Sequence, residues 1–370
     1  MSTRSASPND SFSEDLLAWY RANRRALPWR TRQHDAYAIW ISEIMLQQTT
    51  VAAVAPFYER WMARFPTVRA LAEASLDEVL RHWAGLGYYA RARNIKKAAE
   101  LVSGSFGGLL PDNVDELMRL PGIGRYTAGA IASIAYDVRA PILDANVTRV
   151  LARLYAVHGD PKSAPAQARL WQIAQDLLPD KNPGDFNQAL MELGALICLP
   201  SSPRCPLCPV GGYCAANAEG DPTAYPELAK SKRWLDVRHA AALLEEDGRI
   251  LLIRRPEEGL WGGLWELPRA TAADGEASEE CAVRAAKDSV GLEVCAQYPF
   301  GQVKHVVMNR RITLNGFRVR RIDNAQPAAL ACAAFAWVAP DDLASYALSS
   351  PQQNLLAQWE KRRGQGFLEI

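Results

Sequence analysis

VDELMRLPGIGRYTAGAIASIAY, residues 114–136, reads as two short helices joined by a turn at Leu120-Pro121-Gly122-Ile123-Gly124-Arg125. Apolar residues recur at helical spacing on both sides, and Pro with two Gly breaks the pattern between them. Two glycines between helices permit positive φ and expose consecutive backbone N–H groups where the second helix starts. Such a terminus accepts a phosphate without reading base sequence. Taken alone, a PGxG turn is more often a plain connection.

Working outward, residues from about 12 to 200 show the same helical spacing. It recurs in DLLAWYRANR, YAIWISEIMLQQT, VRALAEASLDEVLRHWAGL and ARLWQIAQDLL, with breaks at LPWR (27–30), FGGLLPDN (106–113) and LPDKNPGD (178–185). A polar stretch from about Ala215 to Lys232 reads as a linker. Beyond it, HAAALLEEDGRILLIRRP has two apolar runs around Asp247-Gly248, a hairpin signal. LWELPRA, ITLNGFRVRRI and FAWVAP add strand-like segments, and EECAVRAAKDSVG and SSPQQNLLAQWEKRR add helices. The expected organisation is a disordered tail (1–11), an all-α domain (12–214), a linker (215–236), an α+β domain (237–362) and a second tail (363–370).

Bulk properties set limits. At 370 residues more than one domain is expected. No apolar run approaches the roughly 20 residues that span a bilayer, and the polar N-terminus lacks a signal-peptide pattern, so a cytoplasmic location is expected. The net charge of +1 does not advertise nucleic-acid binding, but local patches do. Five basic residues and no acid lie between Arg81 and Lys97, and six with no acid between Lys304 and Arg321. Two solvated faces balanced elsewhere would look the same.

Four of the seven cysteines are crowded as Cys198-x6-Cys205-x2-Cys208-x5-Cys214. In a cytosolic-looking chain they suggest metal ligands, not disulfides. Zinc ribbons usually present two separated CxxC knuckles. A single pair flanked by lone cysteines, stiffened by Pro200, Pro203, Pro206 and Pro209, suits a cubane held by one compact loop. Zinc is the rival. Cys281, Cys295 and Cys332 read as ordinary buried thiols.

Two carboxylates stand out. Glu43 sits in WISEIMLQQT, an otherwise apolar helix, where a lone acid is unexpected unless it faces a cleft. Asp144, in PILDANVTRVL, precedes a helix and reads first as an N-cap. Cap geometry would fix its carboxylate and favour the ionised form. An acid with raised pKa beside an ionised carboxylate is the pairing that glycoside hydrolysis requires.

LPWR (27–30), WISEIMLQQTTV (40–51), GLGYYARARNI (85–95), LPGIGRYTAGAI (120–131), LDANVTRVLAR (143–153) and FNQALMELGALIC (186–198) together resemble the MutY-type adenine DNA glycosylases, densely over residues 15–215. The cysteine spacing resembles that of endonuclease III-like enzymes, which implies a 4Fe–4S cluster on Cys198, Cys205, Cys208 and Cys214. The resemblance implies a helix–hairpin–helix glycosylase fold with an α+β Nudix-like domain behind it. It implies that Glu43 protonates adenine N7 and that Asp144 stabilises the oxocarbenium ion, supported by Tyr126 and Asn146. Gly122 and Gly124 would hold a phosphate, Gln48 and Tyr88 would wedge into the duplex, and Leu27, Trp29, Arg30 and Gln188 would line the adenine pocket. Lyase relatives carry a Lys where this chain has Tyr126. A phenol cannot form a Schiff base, so base removal without strand cleavage is expected.

DGRILLIRRPEEGLWGGLWELPR (247–269) resembles the start of a Nudix fold, but EASEECAVRAAKDSVGL (276–292) lacks the acid run that holds Mg²⁺. In the family this domain reads 8-oxoguanine through a Phe-Ser-His element, and Val307, Met308 and Asn309 occupy those positions. Ala145 stands where the family usually has Gly, and one extra residue separates Arg30 from Tyr37. The expected protein is a monomeric, monofunctional adenine glycosylase of base excision repair, acting on double-stranded DNA with adenine opposite 8-oxoguanine or guanine. The alternatives are a glycosylase of the same fold for thymine opposite guanine, a non-catalytic iron–sulfur damage sensor, and a Nudix hydrolase with a DNA-binding appendage.

Overall fold

The computed structural model describes residues 8–32, 34–228 and 233–364. Its first part is helical: α1 (Pro8–Asn23), α2 (Ala36–Leu46), α3 (Val51–Arg64), α4 (Val68–Glu73), α5 (Leu76–Trp83), α6 (Ala90–Ser105), α7 (Val114–Met118), α8 (Arg125–Tyr136), α9 (Ala145–Leu154), α10 (Ala164–Leu177), α11 (Pro183–Leu196) and α12 (Ala215–Ala218). The second part holds β1 (Leu235–Glu246), β2 (Arg249–Arg254), β3 (Trp265–Glu266), β4 (Arg269–Thr271), α13 (Ser278–Val290), β5 (Val294–Val307), β6 (Arg310–Arg321), β7 (Ala334–Val338) and α14 (Ser350–Gly364). Of the two expected tails, residues 1–7 and 365–370 lie outside the described residues. Helix already covers Pro8 onward and continues to Gly364. The stretch 215–236 contains α12, a 3-10 turn at Pro222–Ala224 and the first residues of β1, and its residues 229–232 lie outside the described set.

Two compact units result, one from residues within 1–73 and 94–230, the other from residues within 74–93 and 231–370. The first unit's core gathers Phe12, Leu16 and Tyr20 of α1, Val147, Val150 and Leu151 of α9, and Phe186, Leu190 and Leu193 of α11. Small residues let helices close in. A Cβ at Gly194 of α11 would lie 2.7 Å from Asn146 Cβ. The hairpin between α7 and α8 forms as expected, with one difference. Gly122 is left-handed at φ 80, and a Cβ there would lie 2.7 Å from Asn94 Cβ. Gly124 is extended (φ −93, ψ 177) and caps α8, with open space where a side chain would be. Only the first glycine uses its freedom for a left-handed turn.

The run 68–86, helical in spacing throughout, forms two helices. Ser75 Oγ accepts from Glu78 N at 3.2 Å, capping α5 and ending α4 before it. α5 then belongs to the second unit, where Asp77 pairs with Arg254 at 2.8 Å and Arg93 donates to Gly262 O at 2.6 Å.

In the second unit the sheet runs β3-β2-β1-β6-β5, with β4 also on β1 and β7 also on β2. β1 and β6 are parallel and the other pairs antiparallel. β1 alternates: Ala241 and Leu243 face a core with Leu355, Leu356 and Trp359 of α14, while Ala240, Ala242 and Leu244 face Cys281, Ala282 and Val290 of α13. The Asp247-Gly248 hairpin is present, both residues having positive φ as a type I′ turn requires. The three cysteines outside the crowded run differ from one another: Cys281 is buried, but Cys295 and Cys332 are only partly covered. Among the described residues no helix is long and apolar enough to cross a membrane.

Candidate active site

A cavity of about 1180 Å³ opens in the first unit, lined by α2, α8, α9, α11 and the turn around Leu27–Arg32. Leu27, Trp29, Arg30, Glu43, Gln48, Tyr126, Asp144, Asn146 and Gln188 all line it, so positions scattered over some 160 residues of chain meet in one place.

Glu43 lies on α2, whose residues from Tyr37 to Met45 are all buried. The Tyr126 hydroxyl donates a short hydrogen bond to Glu43 Oε2 and also lies 3.5 Å from Met191 Sδ. Burial pushes the Glu43 carboxyl up to about 7, the Asp144 charge adding to the rise while the Tyr126 hydrogen bond and Arg30 oppose it. Burial likewise holds the Tyr126 phenol well above its ordinary value, with Glu43 and Asp144 adding to the effect.

Asp144 is the N-cap of α9. Its Oδ1 accepts from Val147 N at 2.6 Å, and its Oδ2 accepts from Asn146 Nδ2 at 3.1 Å. The cap and the cavity position coexist. Burial raises the carboxyl above its ordinary value, while the backbone N–H groups of Val147 and Asn146, the Asn146 amide and Arg149 all pull toward the ionised form. Asn146 is itself oriented, its Oδ1 accepting from Arg149 Nη2 at 2.9 Å, and Arg149 Nε continues to Cys198 O at 2.8 Å.

Around the cavity rim, Trp29 is buried edge-on to Tyr58 at 5.6 Å. Among the described residues Gln188 has only a 3.5 Å contact to Gly184 O, which leaves its amide able to turn to a ligand. Gln48 is exposed at the end of α2 with φ 59. In the other unit, Tyr88 is also exposed and left-handed, at φ 49, its ring 5.7 Å from the Arg91 guanidinium. A left-handed backbone is uncommon for side chains of this kind and is found disproportionately where chains meet ligands.

Residues 41–176 match the family of HhH-GPD superfamily base excision DNA repair proteins, and residues 239–358 match the NUDIX domain family. The rat adenine DNA glycosylase is 34% identical over 406 residues, covering 95% of this chain and 78% of that protein. The chain belongs to the adenine DNA glycosylase family. The Arabidopsis thaliana adenine DNA glycosylase is 42% identical over 306 residues, covering 70% of this chain and 48% of its own. Among solved structures, a thermostable thymine-DNA glycosylase superposes with a TM-score of 0.52 at 30% identity, covering 57% of this chain and 97% of its own.

A further charged residue of this cavity is not singled out by the sequence. Glu192, on α11, is 1% exposed and binds two arginines, Arg25 Nε at 2.9 Å and Arg30 Nη2 at 2.9 Å. Burial would raise its carboxyl, but the hydrogen bonds from Arg25 and Arg30 pull it down to about 2. It lies one turn beyond Gln188 on α11, where an acid on an amphipathic helix gives no signal in the sequence.

Cys198, Cys205, Cys208 and Cys214 line a second, smaller cavity with Val150, Arg153 and Leu193. The loop is a chain of tight turns, Cys208 N donating to Cys205 O, Gly211 N to Cys208 O and Cys214 N to Gly211 O. Burial pushes the Cys208 thiol up to about 11, with the other three cysteines adding to the rise. In the second unit, Val307, Met308 and Asn309 sit at the tip of the β5–β6 hairpin. Val307 pairs with Arg310, Met308 is left-handed at φ 57 and 71% exposed, and Asn309 Nδ2 donates to Arg233 O at 3.1 Å.

Proposed function

We propose that this chain hydrolyses the N-glycosidic bond of adenine mispaired with 8-oxoguanine or guanine, leaving an abasic site for base excision repair. The observation that carries the reading is the Glu43–Tyr126–Asp144 group, where one buried carboxyl is held near neutral pKa beside a second, half-buried one.

A flipped adenine would enter the cavity between Leu27, Trp29, Arg30 and Gln188, the cost of unstacking it being a few kcal/mol. Glu43 in its protonated form donates to N7, and the glycosidic electron pair leaves with the base. The sugar becomes an oxocarbenium ion, and Asp144, held by Val147 N and Asn146, faces that positive charge. Water then adds to C1′ and returns its proton to Glu43. Tyr126, neutral and bonded to Glu43, orients the acid and offers no amine, so no strand-cleaving step accompanies base loss. Thymine has no N7, which leaves a proton-donating Glu43 without purpose in a thymine enzyme.

The four thiols fit a 4Fe–4S cluster better than zinc. They ring one cavity, and their single CxxC pair flanked by lone cysteines differs from the two separated knuckles of a zinc ribbon. Bound there, the cluster would cross-link the loop that follows α11.

DNA contact rests on Gly122 and the amide-rich start of α8, on Gln48 and Tyr88 as wedges, and on Val307, Met308 and Asn309 as the probe of the opposite base. Single-turnover adenine release from duplexes with adenine opposite 8-oxoguanine, guanine or cytosine tests the reading. Release opposite the first two, without strand cleavage until base treatment, is expected. No release from any duplex would sink it.

A further inference from the structure

Arg153, the ninth residue of α9, is 2% exposed, yet none of the ion pairs among the described residues includes it. A buried guanidinium without a carboxylate is costly and calls for another source of negative charge. Its donors go to the cysteine loop. Nη1 reaches Leu199 O at 2.7 Å and Cys198 Sγ at 3.3 Å, and Nη2 reaches Pro200 O at 2.7 Å. Its own carbonyl accepts from Cys214 Sγ at 3.5 Å. One residue therefore touches the first and last cysteines of the run. Nε donates to Tyr225 O at 2.9 Å, so the same side chain also holds the chain that leaves the loop.

We infer that Arg153 is a positioning residue for the cysteine loop, supplying the buried countercharge to its thiolates and fixing Cys198, Cys214 and the outgoing chain at Tyr225 to α9. The inference rests on the cluster reading above. Four thiolates around a cluster carry net negative charge, and an N–H donor on one sulfur stabilises the more negative, reduced state. Removing that donor lowers the reduction potential and loosens the ligand set. Because Nε also holds Tyr225, the segment around residues 219–228 loosens with it.

The test compares full-length Arg153→Met, Arg153→Lys and Arg139→Met with the parent protein as purified. Iron content, release of iron to a chelator, reduction potential, and amide exchange across 219–228 are measured. Arg139 serves as control because it also binds backbone carbonyls, Leu178 O at 2.8 Å and Gln175 O at 3.0 Å, but no cysteine. Arg153→Met is expected to release iron roughly ten- to a hundredfold faster, as loss of a partner to a metal ligand usually does. Its potential should fall and residues 219–228 should exchange faster. Arg153→Lys, which keeps the charge without the fork, should lie between, and it carries the test if the Met variant does not fold. Parent-like release and potential in folded Arg153→Met or Arg153→Lys overturn the inference, as does equal iron loss in Arg139→Met. A parent protein without iron would instead overturn the cluster reading itself.

Discussion

Two carboxylates of the same cavity, equally removed from water, are driven in opposite directions. Glu43 is 6% exposed and rises to about 7, while Glu192 is 1% exposed and falls to about 2. Burial pushes both upward, so burial does not distinguish them. The partners do. Glu43 faces a phenol and a second carboxylate, whereas Glu192 is gripped by Arg25 and Arg30. The first wall of the cavity is thereby set up to give and take a proton near neutrality, and the second to hold fixed charge and shape. A buried acid in a cleft is evidence for chemistry only after its neighbours have been named.

Glu43→Gln keeps the shape and the acceptor for Tyr126 but has no proton to give, so single-turnover adenine release should fall by roughly 10²- to 10⁴-fold. The same variant should gain stability at high pH. A carboxyl raised from 4.5 to about 7 lends stability that is full below pH 4.5 and is lost as pH rises through 7, roughly 3 kcal/mol in all. Urea midpoints at pH 8 should therefore favour Glu43→Gln, and at pH 4.5 the two proteins should match. Asp144→Asn retains a good cap, so stability should change by less than about 1 kcal/mol. Adenine release should nevertheless drop by roughly a hundredfold or more, since the charge facing the sugar cation is gone.

Glu192→Gln should show the opposite pattern, with stability suffering most. Its carboxylate, lowered from 4.5 to about 2, contributes stability present above pH 4.5 and lost as pH falls through 2. Losing it at pH 7 should cost roughly 2 kcal/mol, discounted because Arg25 is a third exposed. The smallest effect belongs to the other unit. At the hairpin tip only Met308 of the two turn residues is left-handed, the place where a type II′ turn prefers Gly. Met308→Gly should raise thermal stability by about 1 kcal/mol. If Met308 probes the opposite base, discrimination between 8-oxoguanine and guanine should change along with it.

Much of this was readable from residues alone. Glu43 was conspicuous as a lone acid in an apolar helix, and Asp144 as a cap before one. The α7–α8 hairpin announced itself through Pro121 and Gly122. Glu192 was not legible in the same way, because an acid on an amphipathic helix is ordinary and its partner Arg25 lies 167 residues earlier. The division of residues 68–86 was hidden too: Ser75 looks like any polar residue within a helical pattern until its hydroxyl is seen capping Glu78 N. β5 gives little period-2 signal because Pro299 and Gly301 interrupt it, and the structure has register shifts at Ala296/Tyr298 and Pro299/Gly301. The upward pull on the Asp144 carboxyl is not legible either, because it comes from burial set by the fold, whereas the sequence shows only the cap.

The most direct measurement is the pH dependence of single-turnover adenine release from a duplex with adenine opposite 8-oxoguanine. The rate should fall on the basic side with an apparent pKa near 7, where Glu43 loses its proton. A rate that stays level from pH 6 to pH 9, with chemistry shown to be limiting, would contradict Glu43 as the acid that releases the base.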